Sequence, residues 1–252
     1  MKLRLPALPT LPPLVAVMAA ALVSTTLAAC AHGQKTARFF QPTPGQIGPE
    51  FNSYGEAVLP EQGLIVVQGD DLAYGVGLHP TRHRINEADV GQASLTISQS
   101  LRHVLGDNRV RVENRGFPDD TVAQSAKRWE GLEPGDLLVL AYGFGDMKAK
   151  TAPAVFGAEL RAQIRAAHAR GAAVFVVTPP YIGDPPREIQ LAPLRTMAEA
   201  IAGQEGAETF STIAAMTAAK ENPAKGVPQN AKTYQAVAAS MLPYIKLVKP
   251  RS

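Results

Sequence analysis

The sequence predicts an α/β domain: a parallel sheet of about five strands with helices on both faces. Three observations lead there. Short apolar, β-branched runs recur, at residues 63–68, 110–114, 136–142 and 172–178. Helical stretches of about ten to twenty residues alternate with them, and such alternation needs crossover connections between parallel strands. Gly and Pro mark the joints, and no internal repeat is present. With 252 residues, 46% of them hydrophobic, the chain can bury a sizeable core.

Residues 1–29 read as a targeting segment. Lys2 and Arg4 give a positive start, and an apolar stretch over 14–29 ends in Leu27-Ala28-Ala29-Cys30. That tetrapeptide resembles the lipobox of bacterial lipoproteins. The resemblance implies cleavage before Cys30, acylation of its sulfur with palmitate-type chains, and a periplasm-facing protein anchored to a membrane of the bacterial envelope. Ala31, where inner-membrane retention in enteric-type sorting uses Asp, points to the outer membrane. The alternatives are an ordinary secretory signal and an uncleaved anchor. Removing the segment takes two of the 25 basic residues and none of the 22 acidic ones, leaving 23 against 22. The pI near 9.0 is therefore no sign of nucleic-acid binding. Cys30 is the only cysteine, so no intrachain disulfide can form.

Residues 30–60 form the lipid attachment and a Pro/Gly tether, and 61–252 form the domain. Pro42, Pro44, Gly45, Gly48, Pro49 and Gly55 break regular structure in the tether. Residues 72–86 are polar and Gly-rich and predict a loop over the site. Helices are predicted over 87–105, from Asp120 or Thr121 to 129, and over 153–170, 188–202 and 230–248. A short fifth strand falls at 207–210.

Strand 63–68 runs into Gly69-Asp70-Asp71-Leu72. This resembles the Gly-Asp-Ser-Leu block of the SGNH/GDSL hydrolases, with Asp71 in place of the nucleophilic Ser. Three further blocks follow in order. Gly116 matches the glycine of the second block, whose backbone N–H faces the oxyanion. Gly143-Phe144-Gly145-Asp146 matches Gly-x-Asn-Asp, with Gly145 in place of the donor Asn. Lys225-Gly226-Val227-Pro228 matches Asp-x-x-His, with Lys225 for the Asp and Pro228 for the His. The resemblance spans residues 63–248 and implies a three-layer, flavodoxin-like SGNH-hydrolase fold.

It also implies ester hydrolysis, which needs an activated alcohol, a base with its orienting group, and oxyanion donors. Here the alcohol is a carboxylate, the base a proline and the orienting acid a lysine. Losing a triad member costs about 10⁴–10⁶ in turnover. His79 and His83, in the loop after the first strand, are the candidates for a rearranged base. His32 lies in the tether, and His103 and His168 fall on helices at expected surface positions. Asp70, Asp71 and Asp146, with Asp119 and Asp120 near them, leave a hard cation open as one reading and structural bonding to turn N–H groups as the other; the expectation is no metal and no cofactor.

The remaining reading is binding without turnover. Its cleft is lined by Asp70, Asp71, Tyr74, Phe117, Phe144, Asp146 and Lys148, with an envelope glycan or an export or assembly protein as partner. The expectation is a catalytically degenerate SGNH-like lipoprotein; the alternative is an active O-acyl esterase with a rearranged site.

Overall fold

The computed structural model describes residues 56–60, 62–85, 88–92, 95–106, 110–221 and 231–248, with 77–85 and 88–92 described by backbone alone. All of them belong to the unit that starts at Phe39. The strands are β1 (Ala57–Pro60), β2 (Leu64–Gly69), β3 (Val76–Ile85), β4 (Ala88–Gln92), β5 (Arg111–Gly116), β6 (Leu137–Ala141), β7 (Ala173–Thr178), β8 (Glu208–Ser211) and β9 (Ile245–Val248). The helices are α1 (Asp71–Tyr74), α2 (Ile97–Val104), α3 (Val122–Arg128), α4 (Phe144–Lys148), α5 (Pro153–His168), α6 (Pro185–Glu205), α7 (Thr212–Ala218) and α8 (Ala231–Met241).

Five strands make one parallel sheet in the order β5-β2-β6-β7-β8. Numbered by their own succession that is 2-1-3-4-5, the flavodoxin-like order. Every residue of β6 and β7 is buried, as strands covered on both faces must be. One apolar layer brings α2 and α8 onto the sheet through Ile97, Leu101, Tyr234 and Met241. The other brings α5 and α6 through Phe156, Leu160, Leu191 and Leu194. Thr96 and Thr121 each close a capping box, with Gln99 and Gln124, and so fix where α2 and α3 begin.

The structure corrects several expectations. The tether does not run to Pro60: its last residues are β1, with Ala57 and Leu59 fully buried and paired in parallel to β9. The segment after Asp70 is not one loop. Leu72 and Ala73 are core residues of α1, and β3 pairs antiparallel with β4. The helix expected over 87–105 is therefore a strand followed by a helix of only eight residues. The α6 helix starts at Pro185, because proline suits a first turn whose N–H has no helical acceptor. The α7 helix was not foreseen. The last helix stops at Met241, where Pro243 sits in a 3₁₀ turn, and the chain resumes as β9. His168 is buried at the end of α5, not exposed.

Burial holds the His168 imidazole below its ordinary value of 6.5, against the opposing pull of Glu205. The unfolded chain takes a proton near 6.5 and the folded chain only at lower pH. The stability this group contributes is thus complete above 6.5 and is lost as pH falls. Urea midpoints measured from pH 8 to pH 5 should drop more steeply for the parent than for His168→Gln.

Candidate functional site

In open α/β sheets, ligands bind beyond the carboxyl ends of the strands. Asp70 follows β2 at that edge and is fully buried. Its Oδ2 accepts the backbone N–H groups of Gly143 (2.8 Å), Phe144 (2.7 Å) and Gly145 (3.0 Å). Its Oδ1 accepts that of Leu72 at 2.9 Å. The side chain thus caps α1 and ties the end of β2 to the turn after β6. Burial, then the adjacent Asp71, push its carboxyl up to about 7, against the lowering effect of these donors. Asp70 is structural.

Asp71 stands where the sequence resemblance puts a nucleophilic serine, and it is 8% exposed. Lys148 Nζ lies 3.0 Å from its Oδ1, and the N–H of Asp119 donates to its Oδ2 at 3.0 Å. Lys148 also bonds the Asp119 carboxylate. Burial lowers the Lys148 pKa, but the bond to Asp119 and the charge of Asp71 outweigh it and hold the ammonium above the ordinary lysine range. Asp119 adopts a left-handed φ of 65°, which aspartate tolerates better than most residues, and so turns its N–H inward. Arg128 braces the same turn from outside. Its guanidinium chelates Asp120 at 2.7 and 2.9 Å and lies 3.6 Å from the centre of the Phe117 ring.

The two glycines that the sequence resemblance aligns with oxyanion donors are closely packed as well. The N–H of Gly116 donates to Asn114 Oδ1 at 2.8 Å, a local i to i+2 bond. A Cβ on Gly116 would sit 2.0 Å from Tyr74 N, so glycine here serves the approach of α1 to β5. At Gly145 a Cβ would lie 2.0 Å from Asp120 O and 2.8 Å from Asp119 O. The turn that covers Asp71 fills the volume a donor side chain would need.

Asp146 is buried, and its Oδ2 accepts the N–H of Val122 at 2.9 Å; burial raises its pKa. Thr121, not Asp120, caps α3. Tyr74 is buried, while Phe117 and Phe144 are half-buried. The residues expected to line an open cleft do converge at this edge, but Asp70, Asp71, Tyr74 and Asp146 are packed inside it. Among the described residues, no group of three or more His, Cys, Asp or Glu could hold a metal ion. His79 and His83 lie on β3, whose side chains beyond Val76 are not described, and His103 is exposed. Lys225, Pro228, Cys30, His32, the targeting segment and residues 31–55 lie outside the described residues.

Sequence reasoning missed Asn114 and Arg128. The Asn-x-Gly spacing was a usable signal for the first, because asparagine commonly bonds the N–H two residues on. The second had none, since its role depends on where the 117–120 turn lies.

The profile of the GDSL-like lipase/acylhydrolase family matches residues 67–236. No curated protein matches the chain. Among solved structures, a lipase/acylhydrolase from Enterococcus faecalis is similar at 21% identity, with a TM-score of 0.56 over 71% of this chain and 93% of that one. A variant of an acetyl xylan esterase from Geobacillus stearothermophilus is similar at 17% identity, with a TM-score of 0.58 over 77% and 99%.

Since Gly145 has an ordinary negative φ, replacing it tests space alone. Gly145→Ala must displace the 119–120 turn and should cost about 1–3 kcal/mol. A lowered urea midpoint with an unchanged slope is the expected reading; full parental stability would show the turn yields freely.

Proposed function

From the fact that the chain belongs to the GDSL-like lipase/acylhydrolase family, we propose that it is a non-hydrolytic member, an envelope lipoprotein anchored through Cys30 whose domain binds a glycan or a protein partner. The observation that carries this reading is the ion-paired state of Asp71. A carboxylate fixed between an ammonium and a backbone N–H cannot act as the family's alcohol. Attack by a carboxylate on an ester would also give an anhydride, an uphill acyl intermediate. Losing one side-chain oxyanion donor costs about 10²–10³ in rate, and Gly145 supplies none.

The family's scaffold is retained while its chemistry is filled in. That combination favours selection for a surface over selection for turnover. The lipase/acylhydrolase and esterase activities of the structural neighbours are the reason to test hydrolysis directly.

The chain from Gln34 onward, incubated with p-nitrophenyl acetate and butyrate, should release nitrophenolate no faster than Asp71→Ala. Turnover above that level, abolished by Asp71→Ala, would overturn the reading. The anchor is tested separately: Cys30→Ser should move the protein from the membrane fraction to the soluble periplasmic fraction and abolish labelling with a palmitate analogue.

A further inference from the structure

A shallow groove of about 540 Å³ runs along the outside of α6 beside the start of α5. Pro153, Ile189, Ala192, Pro193, Met197 and Ala200 line it, and none of the described residues lining it is charged. Ile189 is 75% exposed and Val155, in the first turn of α5, is 53% exposed; they are the two most open large hydrophobic side chains among the described residues. Surface helices normally turn charged and polar residues to water. Here the outward positions of α6 are Pro186, Ile189, Pro193, Thr196, Ala200 and Gly203, all exposed.

Those positions fall at intervals of 3, 4, 3, 4 and 3 residues, the spacing with which one helix seats along another. Their sizes are ordered: Pro, Ile and Pro in the first half, Thr, Ala and Gly in the second. Laid antiparallel on a copy of itself, this ridge meets its own complement, large side chains opposite small ones. A two-fold contact requires that property, because one patch serves as both surfaces. Pro193 and Gly203 each disfavour a helix interior. The packing of a single copy demands neither, since Pro193 is exposed and a Cβ on Gly203 would meet nothing within 4 Å.

The face is large enough for a weak dimer. The α5 helix lies against α6, close enough that a Cβ on Gly157 would sit 2.7 Å from Met197, and it adds the exposed Ala154, Val155, Ala158 and Ala162. Two helices about 25 Å long and about 10 Å apart present a footprint of roughly 500 Å². Counted on both copies, that reaches the roughly 1,000 Å² at which specific interfaces begin. A lipid surface fits less well, because helices that lie on membranes carry Lys and Arg beside large apolar side chains.

We propose that two copies of the chain pair through this face, α6 antiparallel to α6, about a two-fold axis passing between residues 194 and 195. Ile189 of one copy then lies opposite Ala200 of the other, Pro186 opposite Gly203, and Pro193 opposite Thr196. The contact shares no residue with the edge around Asp71, so it stands or falls separately from the absence of hydrolysis.

Sedimentation equilibrium of the full-length protein in a density-matched detergent should show a monomer–dimer equilibrium with a Kd in the roughly micromolar range, as suits so small a contact. Ile189→Ala removes the large member of one pair, and Ala200→Ile sets two large side chains against each other. Each should weaken the dimer about tenfold or more, because symmetry counts the exchange twice. The double exchange, Ile189→Ala with Ala200→Ile, rebuilds the pair in reverse and should return the Kd to within about threefold of the parent. Both positions are exposed, so thermal melts read by circular dichroism should not fall. In isolated membranes, Glu199→p-benzoylphenylalanine identifies the occupant: mixed isotopically light and heavy copies should give cross-links between α6 peptides of two copies. A parent monomeric at every concentration, cross-links only to lipid, to another protein or to residues 1–55 of the chain, or a double exchange that does not restore pairing would each overturn the proposal.

Discussion

The Asp70 carboxylate is the interaction on which the upper edge of the sheet depends. Four backbone N–H groups from two separate turns converge on it. Each such bond contributes on the order of 1 kcal/mol net, and burial of the carboxyl, which raises its pKa to about 7, opposes the sum. The geometry matters as much as the energy. By holding Gly143, Phe144 and Gly145 against the end of β2, it sets where α4 begins. Lys148 then falls at the end of α4, within reach of Asp71. Without that link the ion pair over the inherited nucleophile position has no fixed frame.

The closure of this edge is cooperative. An acidic residue at position 71 gives Lys148 and the Asp119 N–H something to bind. Glycine at position 145 leaves room for the 119–120 turn, and Arg128 holds that turn from the far side. A serine at 71 would leave Lys148 and the turn without their acceptor, and a side chain at 145 would strike the turn. The residues that build the sheet, such as those of the buried β6 and β7, are separate from those that pack this edge.

Most of the sheet was legible in the sequence because central parallel strands are continuous apolar runs, and 136–142 and 172–178 could be little else. The order of strands came from the resemblance of Gly69-Asp70-Asp71-Leu72 and its later blocks, not from periodicity. What failed did so for physical reasons. The β1 strand is short and preceded by Pro and Gly, so nothing local announced that Ala57 and Leu59 would be buried. The β3–β4 hairpin carries His, Arg and Thr without clear alternation, and its polarity read as loop. Beyond Met241 the apolar pattern continued past a proline that ended the helix. At the site, the identities of Asp71, Gly145 and Lys148 were visible, but the closing turn was not, because it rests on a left-handed Asp119 and contacts distant in sequence.

The pairing of β1 with β9 ties the two ends of the described domain together. β1 precedes the first strand of the five-stranded sheet and β9 follows the last helix, so loss of either strand leaves the backbone N–H and C=O groups of the other without ladder partners. A truncation at one end is thereby felt at the opposite one.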